Sequence, residues 1–131
     1  MHPNKVNYIV TRNVNDIAFA NALLQKNGID TPLGEHVIIA KQGKKIRGAI
    51  SLSPEWRKID TVAVGPIYAD SRIVYMRLGE AMEIELTRMG ISHYYMCVDK
   101  EDLKLQKWLT SLGLVFIGKD KNDDLWYRRD L

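Results

Sequence analysis

Ile59-Asp60-Thr61-Val62-Ala63-Val64-Gly65-Pro66-Ile67-Tyr68-Ala69-Asp70-Ser71-Arg72 is the stretch on which the fold turns. Ile59–Val64 is β-branched and apolar and reads as a strand. Gly65-Pro66 is expected to end it, because proline brings no N–H to a ladder. Ser71 then offers N-cap chemistry for a helix running to Met89. Its apolar stripe is Tyr75, Leu78, Met82, Leu86 and Met89, and Gly90 stops it by taking the left-handed conformation cheaply. The next apolar run, Tyr94-Tyr95-Met96-Cys97-Val98, is hydrophobic on both faces, as a buried parallel strand would be. On that reading Cys97 is a small buried hydrophobe and not a nucleophile.

Outward from this strand–helix–strand unit the pattern continues in both directions. Val6–Thr11 reads as a first strand, and Asn13 to Asp16 as the cap of a helix with Ile17, Ala20 and Leu24 on one face, ending at Gly28. Thr31-Pro32-Leu33-Gly34 is a turn. His36–Lys41 and Lys45–Ser53 form a hairpin closed at Gln42-Gly43. In its second strand Ile46, Ile50 and Leu52 fall on one side and Arg47 and Ser51 on the other. Pro54-Glu55-Trp56-Arg57 reads as a connection. Beyond Val98, Asp99 or Asp102 caps a helix whose inward face is Leu105, Trp108, Leu109 and Leu112, and Gly113 ends it. Leu114–Gly118 and Leu125–Arg128 are closing strands around a turn in Asp120–Asp124. The order β-α-β-β-β-α-β-α-β-β implies an α/β fold with a mixed sheet covered on both faces.

The chain has 131 residues, with no repeat, low-complexity tract or linker-like stretch, so one domain over 1–131 is expected. A net charge of +3 in a chain carrying both signs throughout gives no ground for nucleic-acid binding. The single cysteine excludes an internal disulfide and fits a reducing compartment. Apolar runs are far too short for a membrane span. Met1-His2-Pro3-Asn4-Lys5 lacks the layout of a signal peptide, so a cytoplasmic protein with no membrane partner is expected. His2, His36 and His93 show no metal-ligand spacing, and no metal site is expected. Lys41, Lys44, Lys45 and Arg47 cluster on the hairpin, and Lys100, Lys104 and Lys107 lie along the last helix. These read as solvated faces and edge protection, with an anionic partner as the alternative.

The element order from residue 6 onward resembles the GNAT superfamily of acyl-CoA-dependent N-acyltransferases. Two passages carry the likeness further. Val62-Ala63-Val64-Gly65-Pro66-Ile67-Tyr68 looks like that family's fourth strand with its Pro-x-Tyr exit toward the CoA-binding helix. Met96-Cys97-Val98, the helix from Asp102 to Leu112, and Leu112-Gly113-Leu114-Val115-Phe116 look like its apolar strand, capped helix and Leu-Gly-Phe passage. The resemblance implies a GNAT-like fold: a central, mixed and mostly antiparallel sheet with helices on both faces. It also implies that acetyl-CoA enters between two splayed strands. Its pantetheine arm would pair with backbone groups near Val62 and Val64. Its pyrophosphate would meet Ser71, Arg72, Ile73 and Val74 at the helix start.

Against the family pattern Gln/Arg-x-x-Gly-x-Gly/Ala, this chain has Ala69, Arg72 and Val74 at the three special positions. Arg72 could reach phosphate with its side chain in place of the missing glycine nest, or be a first-turn surface arginine. Leu109 stands where many members carry a tyrosine that protonates the leaving thiolate. Tyr68, Tyr75 and Tyr94 are the candidates to replace it. Of these, Tyr75 and Tyr94 read rather as core aromatics with the hydroxyl satisfied at an edge. Asp60 matches the position of the usual general base and would act through a water, or it is a solvated carboxylate beside Lys58.

Two readings of function follow. In the first, the chain is an N-acetyltransferase moving acetyl from acetyl-CoA to an unknown amine, on a small molecule or a protein. In the second, it is a catalytically inactive binding or assembly protein on the same fold that has lost CoA. The second draws on a looser resemblance to acetyltransferase-like virion proteins of short-tailed bacteriophages, which would make the chain virion-associated. A protein partner or a homodimer is compatible with either.

Overall fold

The computed structural model describes residues 5–58 and 61–131. The elements are β1 Val6–Val10, α1 Val14–Lys26, β2 Glu35–Gln42, β3 Lys45–Lys58, β4 Thr61–Ala69, α2 Arg72–Arg88, β5 His93–Val98, α3 Leu103–Ser111, β6 Val115–Lys119 and β7 Leu125–Asp130. The strands form one seven-stranded sheet in the order β1-β2-β3-β4-β5-β7-β6. Among the described residues only β4 and β5 run parallel. All other neighbours are antiparallel. This is the mixed α/β architecture expected from the element order.

The two faces of the sheet carry separate cores. On one face, Ala20 and Leu24 of α1 pack on Val37, Ile39 and Ala49. On the other, α2 buries Val74, Tyr75, Leu78, Met82 and Leu86 against Ile38, Ile50, Leu52, Val64, Tyr94 and Met96, joined by Leu109 of α3. The five α2 residues are each 2% exposed or less. At roughly 1.5–3 kcal/mol per buried side chain, their stripe anchors α2 whatever its intrinsic propensity. Asn13, Ser71 and Asp102 cap the three helices by accepting from first-turn N–H groups. No described helix is long and apolar enough to cross a membrane.

Three local expectations are corrected. The strand does not stop at Gly65-Pro66: β4 runs through to Ala69. The ladder to β3 shifts register between Ile50–Ile67 and Leu52–Val64, so Gly65 and Pro66 occupy a bulge where a missing N–H costs no ladder bond. Pro54 to Arg57 likewise belong to β3, within the irregular pairing between Ser53 and Lys58. Ile46 packs with the α1-side core while Ile50 and Leu52 face α2. The cause is a register shift at Ala40/Lys41, which places an extra residue in β3 and flips the faces.

Candidate functional site

The parallel pair β4–β5 is the least zipped in the sheet. Among the described residues its register consists of one pair, Ala63 with Tyr95. Beyond that pair β4 remains bonded to β3 on its other side, while Met96–Val98 of β5 follow β7. The edge of β4 from Val64 onward therefore faces a gap. That gap is a cleft of about 570 Å³ with Val64, Gly65, Pro66 and Ile67 on one wall and Met96 and Cys97 on the other. Its lining comes from both faces of the sheet: Gly28–Thr31 follow α1 on one, and Asp102 and Leu105, at the N-cap and in the first turn of α3, lie on the other. A second cavity of about 310 Å³ shares Gly28, Ile29, Ile67, Asp102 and Leu105 with the cleft and extends it outward to Tyr68, Ala69, Tyr75, Lys104 and Trp108.

The walls are set by the sheet and by short ties. Ser51, fully buried in β3, donates from Oγ to the Gly65 carbonyl at 3.2 Å and accepts from the Gly34 N–H at 2.9 Å. One hydroxyl thus holds the bulge and the segment leading into β2. Gly65 itself has φ +149°, a conformation that L side chains rarely adopt. The Gly28–Gly34 segment is pinned at Ile29, whose N–H reaches the Leu24 carbonyl at 2.9 Å, and at Leu33, whose N–H reaches Asn21 Oδ1 at 2.9 Å. Removing the Ser51 hydroxyl leaves two polar groups without their partner, so Ser51→Ala should lose about 1–3 kcal/mol in chemical denaturation. It should also broaden the NMR signals of Gly34 and Gly65. Unchanged stability and sharp signals would mean that the bulge holds without it.

Of the residues singled out in the sequence, Val62 and Val64 lie on β4, with Val64 buried on the cleft wall. Tyr68 is half-buried on β4 and lines the outer cavity. Ser71 is the N-cap of α2, its Oγ accepting from the Val74 N–H at 3.3 Å. Val74 is buried in the core, and its N–H is held by Ser71. Arg72 and Ile73 are exposed on the first turn, and Arg72 makes no ion pair among the described residues. Asp70, just before the cap, is held in a two-pronged bond to Arg47 at 2.9 Å on each prong. Asp60 lies outside the described residues.

Two readings of side chains are corrected. Cys97 is exposed, because α1 covers β2 and β3 but not the Cys97 side of β5. Partial burial, reinforced by Asp124, Asp120 and Asp99, pushes its thiol up to about 11, so it is protonated at neutral pH and no nucleophile. Tyr94 does satisfy its hydroxyl, donating to Glu83 Oε2 at 2.7 Å, where Arg129 Nε also donates at 3.0 Å. Tyr75 does not: its hydroxyl is buried with no partner among the described residues. Burial, and secondarily the Asp102 carboxylate, hold its pKa far above the usual tyrosine range.

One group among the described residues brings cation-ligand atoms within 4.8 Å of one another: Cys97, Asp120 and Asp124. The Asp120 carboxylate already accepts from Trp126 Nε1 and from the N–H groups of Asn122 and Asp124. Those bonds, the Trp126 one foremost, hold its pKa below the usual value, so the cluster is accounted for as a turn. Sequence reasoning missed Ser51 and the acidic lining of the cleft, Asp30, Asp99 and Asp102. The motif Gly-Ile-Asp-Thr after a helix stop was the available signal for the first of those carboxylates.

No family model matches the sequence, and no curated protein matches it. Solved structures do. The chain is similar to a GNAT-family acetyltransferase from Staphylococcus aureus Mu50, at 14% identity and TM-score 0.74, covering 97% of this chain and 99% of that one. It is similar to an aminoglycoside 6'-acetyltransferase type Ii at 18% identity and TM-score 0.75, covering 96% of each chain. It is also similar to an acetyltransferase from Bacillus subtilis in complex with CoA at 12% identity and TM-score 0.74, covering 97% and 99%. At such identities the likeness establishes the architecture.

Proposed function

We propose that this chain, which has the fold of GNAT acetyltransferases, transfers an acetyl group from acetyl-CoA to an amine. The observation that carries the reading is the gap beyond Ala63 and Tyr95, where a strand edge faces a cleft lined from both faces of the sheet. An extended amide-bearing arm can lie along that edge as a surrogate strand. Donor and acceptor can then meet from opposite sides without displacing each other. The likeness to a structure holding CoA supports the same assignment.

The residues fit the arm of the donor better than its phosphates. Val64–Ile67 provide the open edge. At the start of α2 the Val74 N–H is occupied and the Asp70 carboxylate stands nearby, leaving Arg72 as a cation with no ion pair among the described residues.

In the proposed reaction the amine nitrogen bonds to the thioester carbonyl carbon, the C–S bond breaks, and the nitrogen proton leaves as the amide forms. Unpaired N–H groups of β4 stabilise the charge that develops on the carbonyl oxygen. Asp60, through a water, takes the proton, and Tyr68 supplies one to the departing sulfur. Asp30, Asp99 and Asp102 around the cleft favour an acceptor that arrives as a cation.

Calorimetry with acetyl-CoA and a label-transfer assay against small polyamines and basic peptides test this. Binding in the micromolar to sub-millimolar range with amide formation is expected, and Asp60→Asn should slow turnover about 100-fold. No binding at millimolar acetyl-CoA refutes the reading. A second reading, a binding protein on this scaffold without chemistry, is favoured by one observation. Leu109, where a proton-donating tyrosine would serve, is fully buried and inert. It predicts neither acetyl-CoA binding nor transfer. None of the structural likenesses described above supports a virion role.

A further inference from the structure

Through its middle, helix α1 is apolar on its outer side as well as its inner one. Ala20 and Leu24 are buried against the sheet. Between Asn15 and Gln25 the exposed residues are Ala18, Phe19 and Ala22, and Val14 continues their side by one turn. Val14 is 78% exposed and Phe19 69%. A helix at a protein surface ordinarily turns charged and polar residues to water, as α2 does with Arg77, Glu80 and Arg88. An apolar outer side of this kind marks a surface that meets another one.

Beside Phe19 the surface is concave and positively charged. Asp16, Phe19 and Leu23 of α1, with Lys41, Lys44 and Ile46 of the β2–β3 hairpin, line a cavity of about 330 Å³. Four cations gather on that hairpin. Lys41 is answered by Asp16 at 3.6 Å and Arg47 by Asp70 at 2.9 Å. Lys44 and Lys45 are exposed and make no ion pair among the described residues.

This charge selects the occupant. A second copy docking by the same face would bring the lysines of one chain toward those of the other, and like charges repel. An anionic bilayer would match the charge, but its flat surface has no side chain to enter the cavity. A polypeptide that carries carboxylates beside a large apolar side chain meets both the charge and the shape.

We propose that the outer side of α1 and the β2–β3 hairpin form a docking site for an acidic, amphipathic segment of a partner protein. An aliphatic or aromatic side chain of that segment seats against Phe19, Leu23 and Ile46, and its carboxylates face Lys44 and Lys45. The site shares no lining residue with the β4–β5 cleft, and it stands whether or not the chain transfers an acetyl group.

The probe is a labelled synthetic peptide with glutamates on one side of a helical repeat and leucine and phenylalanine on the other, followed by fluorescence anisotropy and by NMR shifts of the labelled protein. It should bind with micromolar affinity that weakens as salt rises, and the shifted signals should centre on residues 14–23 and 41–46. Phe19→Ser and Lys44→Glu should each weaken it by about 10-fold, while Lys44→Arg should stay within about two-fold of the wild type. Both positions are exposed, so the variants should keep the wild-type circular dichroism spectrum. The same peptide with lysine in place of glutamate should not bind. Failure of the acidic peptide to bind, equal binding of the lysine peptide, or shifts centred elsewhere overturns the proposal. So does tighter, Phe19-dependent binding to phosphatidylglycerol vesicles, which would make the face a membrane contact. A dimer in light scattering that Phe19→Ser dissolves would assign the face to a second copy and overturn it equally.

Discussion

Gly48→Ala is expected to lower stability by about 3 kcal/mol or more, read as a drop in the urea midpoint at unchanged slope. Gly48 sits in β3 opposite Ala69, the last residue of β4. A Cβ there would lie 2.5 Å from the Tyr68 carbonyl oxygen, 3.0 Å from Ala69 Cα and 3.1 Å from a Leu78 methyl. Two of those three obstacles are backbone, so no rotamer change relieves them. β4 must move away from β3, and Leu78 of α2, which is fully buried, must give as well. Moving β4 shifts Tyr68 and Ala69, which line the outer cavity. Ligand affinity should fall along with stability, whereas a wild-type midpoint would show that β3 and β4 can separate there freely.

The second large effect is alkaline destabilisation. Tyr75 and Tyr94 both have pKa values raised far above 10, chiefly by burial, and for Tyr94 also by its bond to Glu83. Each stays protonated in the folded protein above pH 10, while its unfolded counterpart ionises near 10. The unfolded state therefore binds fewer protons than the folded one in that window, and stability falls as pH rises. The contribution is complete below pH 10 and is lost above it, at up to about 1.4 kcal/mol per pH unit for each tyrosine. Urea denaturation at pH 9, 10 and 11, comparing the wild type with Tyr75→Phe/Tyr94→Phe, isolates the term. The double variant should show the shallower decline, and equal slopes in the two proteins would contradict it.

Much of the fold is legible in the sequence, because the signals that specify it are local. The stripe from Tyr75 to Met89 repeats at the spacing of one helix face, and Gly28, Gly90 and Gly113 each take positive φ where a helix ends. The parts that were misread depend on partners distant in the chain. Nothing in Gly65-Pro66 alone says that a bulge will carry β4 across it. That is decided by Ser51 and by the pairing to β3. Cys97 lies in an apolar run, but its exposure is set by how far α1 extends over the sheet. Ile46 changes faces because of one extra residue in a ladder. The cleft was foreseeable as a break in a parallel pair. The unmet hydroxyl of Tyr75 was not, since it is left without a partner only once elements distant in the chain have packed around it.

Ser51 joins the lip of the cleft to the segment before β2, and the opposite wall belongs to β5, itself paired along its length with β7. Both walls are thus strands of the sheet rather than mobile loops. The conformational entropy of ordering them is lost when the chain folds, not when a ligand arrives. A guest in this cleft meets a preorganised surface, so even a thin, flexible chain with few polar handles can be held there at useful affinity.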